Sequence, residues 1–216
     1  MALFDKLFSN ENNDSAGKKD FLAAVEERRS YYAISKDPVG PDDRIKEVVE
    51  HAVKHTPSSF NSQSARVVVL LGEQHSKLWS TITTEALRKV VPSGQFSPTE
   101  EKLEGFANGY GTVLYFEDQA VIESLQQQYP LYRENFHTWS EQSSGMLQFV
   151  IWTALELEGY GASLQHYNPL IDEAVQKEWK LPAGWKLIAQ MPFGKPVSPP
   201  GPKEFKPLGE RVQFHK

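Results

Sequence analysis

Met146-Leu147-Gln148-Phe149-Val150-Ile151-Trp152-Thr153-Ala154-Leu155-Glu156-Leu157-Glu158-Gly159-Tyr160-Gly161-Ala162-Ser163-Leu164-Gln165 is the stretch on which the fold turns. A helix starting near Ser140 carries Met146, Leu147, Phe149, Val150, Ile151, Trp152, Ala154, Leu155 and Leu157 on nearly every side. A helix that is apolar all round is buried on all sides, either in a large core or between subunits. Gly159 and Gly161 close it, since residues without a Cβ tolerate the backbone just past a helix end. Ala162 to Gln165 then reads as a short strand.

Upstream of this centre, Asp20 is placed as the N-cap of a helix that turns Phe21, Leu22 and Val25 inward and ends near Arg29. After Gly40-Pro41, the residues Ile45, Val48, Val49, Ala52 and Val53 recur at helical spacing, and Pro57 marks the end of that helix. Arg66 to Gly72 holds a continuous apolar run, Val67 to Leu71, of the kind a strand covered on both faces shows. Helix is expected again from Glu73 to Val90. Ser97-Pro98-Thr99-Glu100 offers an N-cap, a first-turn proline and a capping-box acid for the next one. Thr112 to Phe116 reads as a strand, Gln119 to Gln127 as a short helix, and Tyr129 to Trp139 as an irregular aromatic stretch.

Downstream, Pro169 to Trp179 is expected to be helical and Trp185 to Phe193 a strand. From Gly194 the chain carries Pro196, Pro199, Pro200, Pro202 and Pro207, whose missing amide donors exclude a central strand before Val212. An extended tail crossing to another surface is the natural use. Many helices, few strands and no regular alternation give an α+β layer fold. No linker divides the 216 residues, so a polar N-terminal segment, 1–19, is followed by one domain, 20–216.

The formal net charge of -5 argues against nucleic-acid or anionic-membrane partners, which need clustered cations, and favours a small-molecule partner. Cysteine is absent, which removes thiolate chemistry, disulfides and cysteine metal sites, so redox chemistry must come from a cofactor. This composition fits a cytoplasmic protein. Met1 to Phe8 lacks the pattern of a signal peptide, and no apolar run reaches transmembrane length. His51 and His55 share a helix face but lack a zincin carboxylate, and no metal site is expected. Ser143-Ser144-Gly145 lacks a nucleophile elbow, and neither Gly109-Tyr110-Gly111 nor Gly159-Tyr160-Gly161 continues as a nucleotide loop.

Two stretches point to a ligand. Arg28-Arg29-Ser30 sets two guanidinium forks beside a hydroxyl, a donor set suited to a phosphate monoester. Pro57-Ser58-Ser59-Phe60-Asn61-Ser62-Gln63 is donor-rich and can face the edge of a polar ring system. With Leu157 to Gln165, and with Phe193-Gly194-Lys195-Pro196 followed by Lys203 and Pro207-Leu208, these stretches resemble the nitroreductase family of FMN-dependent oxidoreductases. Tyr31-Tyr32-Ala33-Ile34, Gln165-His166-Tyr167-Asn168 and Lys203 to Val212 resemble its small fatty-acid-regulation-like branch of yeasts and Gram-positive bacteria.

The resemblance implies a three-layer fold, a small mixed sheet flanked by helices, in an intertwined homodimer with the flavin at the subunit interface. Arg28, Arg29 and Ser30 would hold the FMN phosphate and ribityl chain, with Tyr32 where the family carries a basic residue. Pro57, Ser58, Ser59, Asn61 and Gln63 would cover the flavin from the partner subunit, and Ser163, Leu164 and Gln165 would face its ring. A donor or cation there favours the negative charge that reduction places at N1 and O2. Phe205 stands where the tail usually has a cation, so Lys203 and Lys206 are the candidates for phosphate contact. Tyr31, Phe60, His137 and Trp139 are assigned to the substrate-facing wall.

The activity implied is hydride transfer from NADH or NADPH through flavin N5 to nitroaromatics, quinones or related acceptors, in alternating half-reactions. No side chain is assigned as a nucleophile. A different class, a flavin-binding redox-sensing or stress-response protein that acts through interactions with little turnover, is the alternative.

Overall fold

The computed structural model describes residues 20–216; the expectations for residues 1–19 lie outside them. The sheet consists of β1 (Ile34–Ser35), β2 (Ala65–Leu71), β3 (Gly111–Asp118), β4 (Gly161–Ala162) and β5 (Trp185–Pro196), in the order β1-β5-β3-β2 with β4 also on β5. Every strand pair is antiparallel, so the expected mixed sheet is corrected; the one parallel element is an isolated bridge between Ser30 and Ala162. A mixed sheet would need crossover connections, whereas β3 is flanked by two antiparallel neighbours.

Central position explains β3: its residues Thr112 to Glu117 are all buried, apolar and polar alike. Alternation divides them between two cores. Val113 and Tyr115 face one core with Ile45 and Val49 of α2 (Asp42–His55) and Leu147, Ile151 and Leu155 of α7 (Phe136–Leu157). Leu114 and Phe116 face the other, with Leu78, Trp79 and Ile82 of a π-helical turn (Leu78–Thr83) and Leu103 and Phe106 of α5 (Ser97–Ala107). That π turn joins α3 (Gly72–Lys77) to α4 (Thr84–Arg88), so the helix expected from Glu73 to Val90 is present with a wide turn inside it. The remaining helices are α1 (Phe21–Glu27), α6 (Gln119–Gln128) and α8 (Asp172–Glu178).

Several local expectations change. Asp20 does cap α1, accepting from the Ala23 amide at 2.9 Å, yet Phe21 and Leu22 are exposed and Ala24 is the residue turned inward. Val53 is likewise exposed beside the buried face of α2. In β2 only Leu70 is buried, because the strand lies at the sheet edge rather than between neighbours. The capping box at Ser97 does not form: Ser97 is already helical, no side chain caps α5, and Glu100 pairs with Arg88 instead. The central helix starts at Phe136, earlier than Ser140, because Ser140 and Ser143 donate back to the carbonyls of His137 and Trp139 and satisfy their hydroxyls within the helix.

At the other end, β5 runs on through Pro196, which pairs with Ile34 at the sheet margin where a missing donor is tolerated. Gly194 is required there, since a Cβ would stand 2.5 Å from the Ser35 carbonyl oxygen. Beyond it, residues 201–216 are exposed throughout. No helix among the described residues is long and apolar enough to cross a membrane.

Candidate functional site

Arg28 ends α1 by leaving helical geometry, and the chain then runs alongside β4. Ser30 bridges Ala162, and the Tyr31 amide donates to the Ala162 carbonyl at 2.9 Å. The Arg28-Arg29-Ser30 stretch and the Gly161-to-Gln165 stretch, far apart in sequence, therefore form one seam. Gly161 makes this approach possible, because a Cβ on it would lie 2.7 Å from the Tyr31 ring. The seam is fixed to β5 from behind: the Ser163 amide donates to Pro192 O at 3.2 Å, and Gln165 and Gln190 exchange backbone hydrogen bonds at 2.7 and 2.9 Å. Ser163 Oγ accepts from Gln165 Nε2 at 3.1 Å; both residues are buried, and Leu164 between them is half-buried.

The two arginines differ. Arg28 is half-buried with its guanidinium carbon 4.4 Å from the centre of the Trp152 ring, a cation-π contact to α7. Burial lowers its pKa, the Arg29 charge lowers it further, and Glu156 acts in the opposite direction. Its Nε is buried without a hydrogen-bond partner. Arg29 Nη2 donates to Gly201 O at 2.7 Å and so ties the start of the tail to the arginine pair. Lys203 and Lys206 follow on the exposed tail, with Lys203 Nζ 5.3 Å from the Phe205 ring; neither forms an ion pair among the described residues. Tyr32 is exposed and points its ring toward Phe106, 6.4 Å between centroids. A buried guanidinium N–H without an acceptor, a second guanidinium and a hydroxyl suit a phosphate, and the Ser163 hydroxyl and Gln165 side-chain amide just past β4 suit the polar edge of a ring. These residues fit FMN.

The Pro57–Gln63 loop has an unusual backbone. Phe60, Asn61 and Gln63 adopt φ of 56°, 50° and 48°, in the left-handed region. Each such residue costs roughly 1–2 kcal/mol, with Asn the most tolerant of the three. Local bonds hold the turn: Ser58 Oγ accepts from the Gln63 amide at 3.0 Å, and the Asn61 amide donates to Ser58 O at 3.0 Å. The Phe60 ring meets Tyr129, Tyr132, Phe136 and Trp139 at centroid distances of 4.7, 5.8, 5.5 and 6.0 Å. Aromatic pairs contribute about 0.5–1.5 kcal/mol each beyond burial, enough to offset the strain. Pro57, Ser58, Gln63 and Ser64 border a half-open cavity of about 490 Å³ that Ser143 and Leu147 of α7 also line.

Just past the loop, the buried Ser64 hydroxyl donates to Glu117 Oε2 at 2.6 Å, while Glu117 Oε1 is buried without a partner. Burial pushes the Glu117 carboxyl up to about 7, against the lowering effects of Ser64 and Arg66.

Of the expected substrate wall, Phe60 and Trp139 come together. Tyr31 instead belongs to the seam against Gly161, and His137 is exposed on α7. His51 and His55 face solvent with rings 4.4 Å apart, and no cluster of metal-binding side chains occurs among the described residues. Sequence reading did not single out Trp152 as the platform for Arg28, or Glu117 as the anchor of Ser64. Trp152 read as one more apolar residue of the central helix, and Glu117 lay past the expected strand end. Tyr129, Tyr132 and Phe136 were visible as an aromatic stretch, but their common partner Phe60 was not.

The Nitroreductase family model matches residues 25–195. HBN1 of Saccharomyces cerevisiae is 37% identical over 187 residues, 86% of this chain and 92% of that protein. The nitroreductase CinD of Lactococcus lactis, solved with chloramphenicol and with 4-nitrophenol, is 43% identical at a TM-score of 0.84 over 91% of this chain and 100% of that one. A nitroreductase of Desulfitobacterium hafniense with bound FMN shares the fold at 17% identity, with a TM-score of 0.68 over 90% of this chain and 97% of that one.

Proposed function

We propose that this chain, which belongs to the nitroreductase family, is an FMN-dependent oxidoreductase passing hydride from NADH or NADPH to nitroaromatic, quinone or related acceptors by a ping-pong mechanism. The flavin supplies the redox chemistry through its N5; the protein binds, orients and encloses it. The observation that carries this reading is the seam, where Arg28, Arg29 and Ser30 lie beside β4 and a buried Arg28 N–H lacks an acceptor.

In this reading Arg28 and Arg29 give the phosphate charge-assisted hydrogen bonds, Ser30 adds its hydroxyl, and Trp152 keeps the Arg28 fork in place. Ser163, Leu164 and Gln165, fixed to β5 by their backbone, lie beside the ring, where the Ser163 hydroxyl and the Gln165 side-chain amide are the polar groups. Ser58, Ser59, Asn61 and Gln63 cover the flavin of a partner subunit, and Lys203 or Lys206 adds charge near the phosphate. A homodimer is supported by the apolar outer face of α7, where Met146, Val150 and Leu157 are exposed. The chloramphenicol and 4-nitrophenol complexes of CinD support aromatic nitro compounds as acceptors. A cytoplasmic location accords with the absence of cysteine.

The visible spectrum of the purified protein tests the cofactor: a flavin band, retained or restored by added FMN, is expected, and a colourless protein that binds no FMN refutes the reading. Steady-state oxidation of NADH and NADPH with a quinone and a nitroaromatic tests the activity. Very slow turnover with every acceptor would favour a binding or sensing role instead.

A further inference from the structure

Phe60 combines two features that rarely occur together. Its backbone is left-handed, at φ 56°, where an aromatic residue gains nothing from a local side-chain hydrogen bond as Asn does. Its ring is nevertheless about half exposed, so burial alone does not hold it there. The hydrogen bonds inside the loop, Asn61 N–H to Ser58 O, Ser62 N–H to Ser59 O and Gln63 N–H to Ser58 Oγ, are all local and would serve a glycine equally well. What remains is the ring set: Tyr129 and Tyr132 from the segment after α6, and Phe136 and Trp139 from the first turn of α7. Those four also meet one another, Phe136 with Tyr129 and Trp139, and Tyr132 with Trp139. Phe60 thus docks on a preassembled aromatic patch.

We propose that Phe60 is a positioning residue: its ring, clamped by Tyr129, Tyr132, Phe136 and Trp139, holds the Pro57–Gln63 loop in the left-handed conformation that aims Ser58, Ser59 and Asn61 at the flavin. The part that concerns the flavin rests on the function proposed above. The clamp itself is a property of the chain. Because the patch lies at the start of the central helix, its position is transmitted directly to the covering loop, and a change at Trp139 reaches the loop's polar groups without touching them. In a residue that merely filled space, only the size of the side chain would matter; in a clamp, the partner rings matter as much.

The test uses the full chain with Phe60→Ala, Phe60→Gly, Phe60→Tyr, Trp139→Leu and the Phe60→Ala/Trp139→Leu pair. Two readouts are taken: FMN affinity from quenching of flavin fluorescence, and hydrogen exchange of the amides of residues 59–64. Phe60→Ala, Phe60→Gly and Trp139→Leu are each expected to weaken FMN binding by about tenfold and to speed exchange in the loop, with Phe60→Tyr close to the parent. The pair is expected to be no weaker than Phe60→Ala alone, since both changes remove one interaction.

Parental affinity and exchange in Phe60→Gly would show that the backbone holds itself and would overturn the proposal. So would additive losses in the pair. If the parent protein binds no FMN, the flavin reading falls separately, and loop exchange then decides the clamp: unchanged exchange in Phe60→Ala and Trp139→Leu rejects it.

Discussion

The two helical layers on the sheet differ in how complete they are. Under the π turn, α5 and α8, the core of Leu78, Trp79, Phe106, Phe116 and Ile171 is closed, and those helices expose no large apolar side chain. On the other side, α2 and α7 bury Ile45, Val49, Leu147 and Ile151 against the same sheet while leaving Val53, Met146, Val150 and Leu157 exposed. The first layer is closed by its own side chains, and the second keeps an apolar strip on its outer face. The candidate site follows this division, since the arginine seam and the aromatic clamp both rest on α7.

The buried ionisable groups mark the same contrast. His75, against the closed layer, sits in a neutral network: Trp79 Nε1 donates to Thr112 Oγ1 at 2.8 Å, and the Thr112 hydroxyl is 2.8 Å from His75 Nδ1. His75 Nε2, on the other side of the ring, is buried without a hydrogen-bond partner. Burial lowers the His75 pKa from 6.5 to about 4. Glu117, facing the α7 layer, is shifted the opposite way, to about 7.

The largest expected effect breaks the closed layer. Trp79→Ala should cost about 3–5 kcal/mol, through lost burial, a cavity and a Thr112 hydroxyl deprived of its donor, and chemical denaturation will measure it. The corresponding attack on the open layer is Val150→Asp. If α7 is a subunit interface, twofold symmetry places two unpaired carboxylates in apolar contact, and dimer dissociation should become easier by about a hundredfold or more. Analytical ultracentrifugation reads this directly, and an unchanged association state removes α7 from the interface.

Acid titration separates the layers further. The folded His75 pKa lies below its ordinary value, so its neutral form supports the fold above about 6.5, and this support is lost as pH falls toward about 4. The folded Glu117 pKa lies above its ordinary 4.5, so its contribution is full below that value and is lost as pH rises through about 7. Each is on the order of 3 kcal/mol. Between about 4.5 and 6.5 the two contributions run in opposite directions and offset each other in the parent, so His75→Phe should unmask a stability that falls with rising pH and Glu117→Gln one that rises; a variant whose curve parallels the parent's rejects its assignment.

A smaller effect concerns the seam. Arg28→Ala should weaken FMN binding by about tenfold or more while leaving the closed layer's stability unchanged, since a hydrogen bond to a charged group contributes about 1.5–3 kcal/mol. Equilibrium dialysis that finds parental flavin occupancy in this variant would sink the phosphate assignment.

Where apolar periodicity met a cap or a breaker, the sequence was readable: Asp20 before α1, Pro57 after α2, and the succession of helices around β3. Burial was harder to read. Val67 to Leu71 reads like a fully covered strand and lies at the sheet edge, because the run of apolar residues does not say how many neighbours a strand has. The antiparallel sense of the sheet and the π turn were equally hidden, being set by pairings and packing between distant segments.

By itself, then, the sequence determined the class of fold, the order of its helices and longer strands though not β1, and the chemical character of Arg28-Arg29-Ser30 and Ser58 to Gln63, since these depend on residue type and local spacing. Only the tertiary structure decided that Ser30 lies on Ala162, that Trp152 carries Arg28, and that Phe60 reaches four rings from the far side of the chain. The reason is physical. Contacts between segments distant in sequence are chosen by which surfaces can be buried together, and a glycine such as Gly161 permits a close approach without naming the residue that makes it.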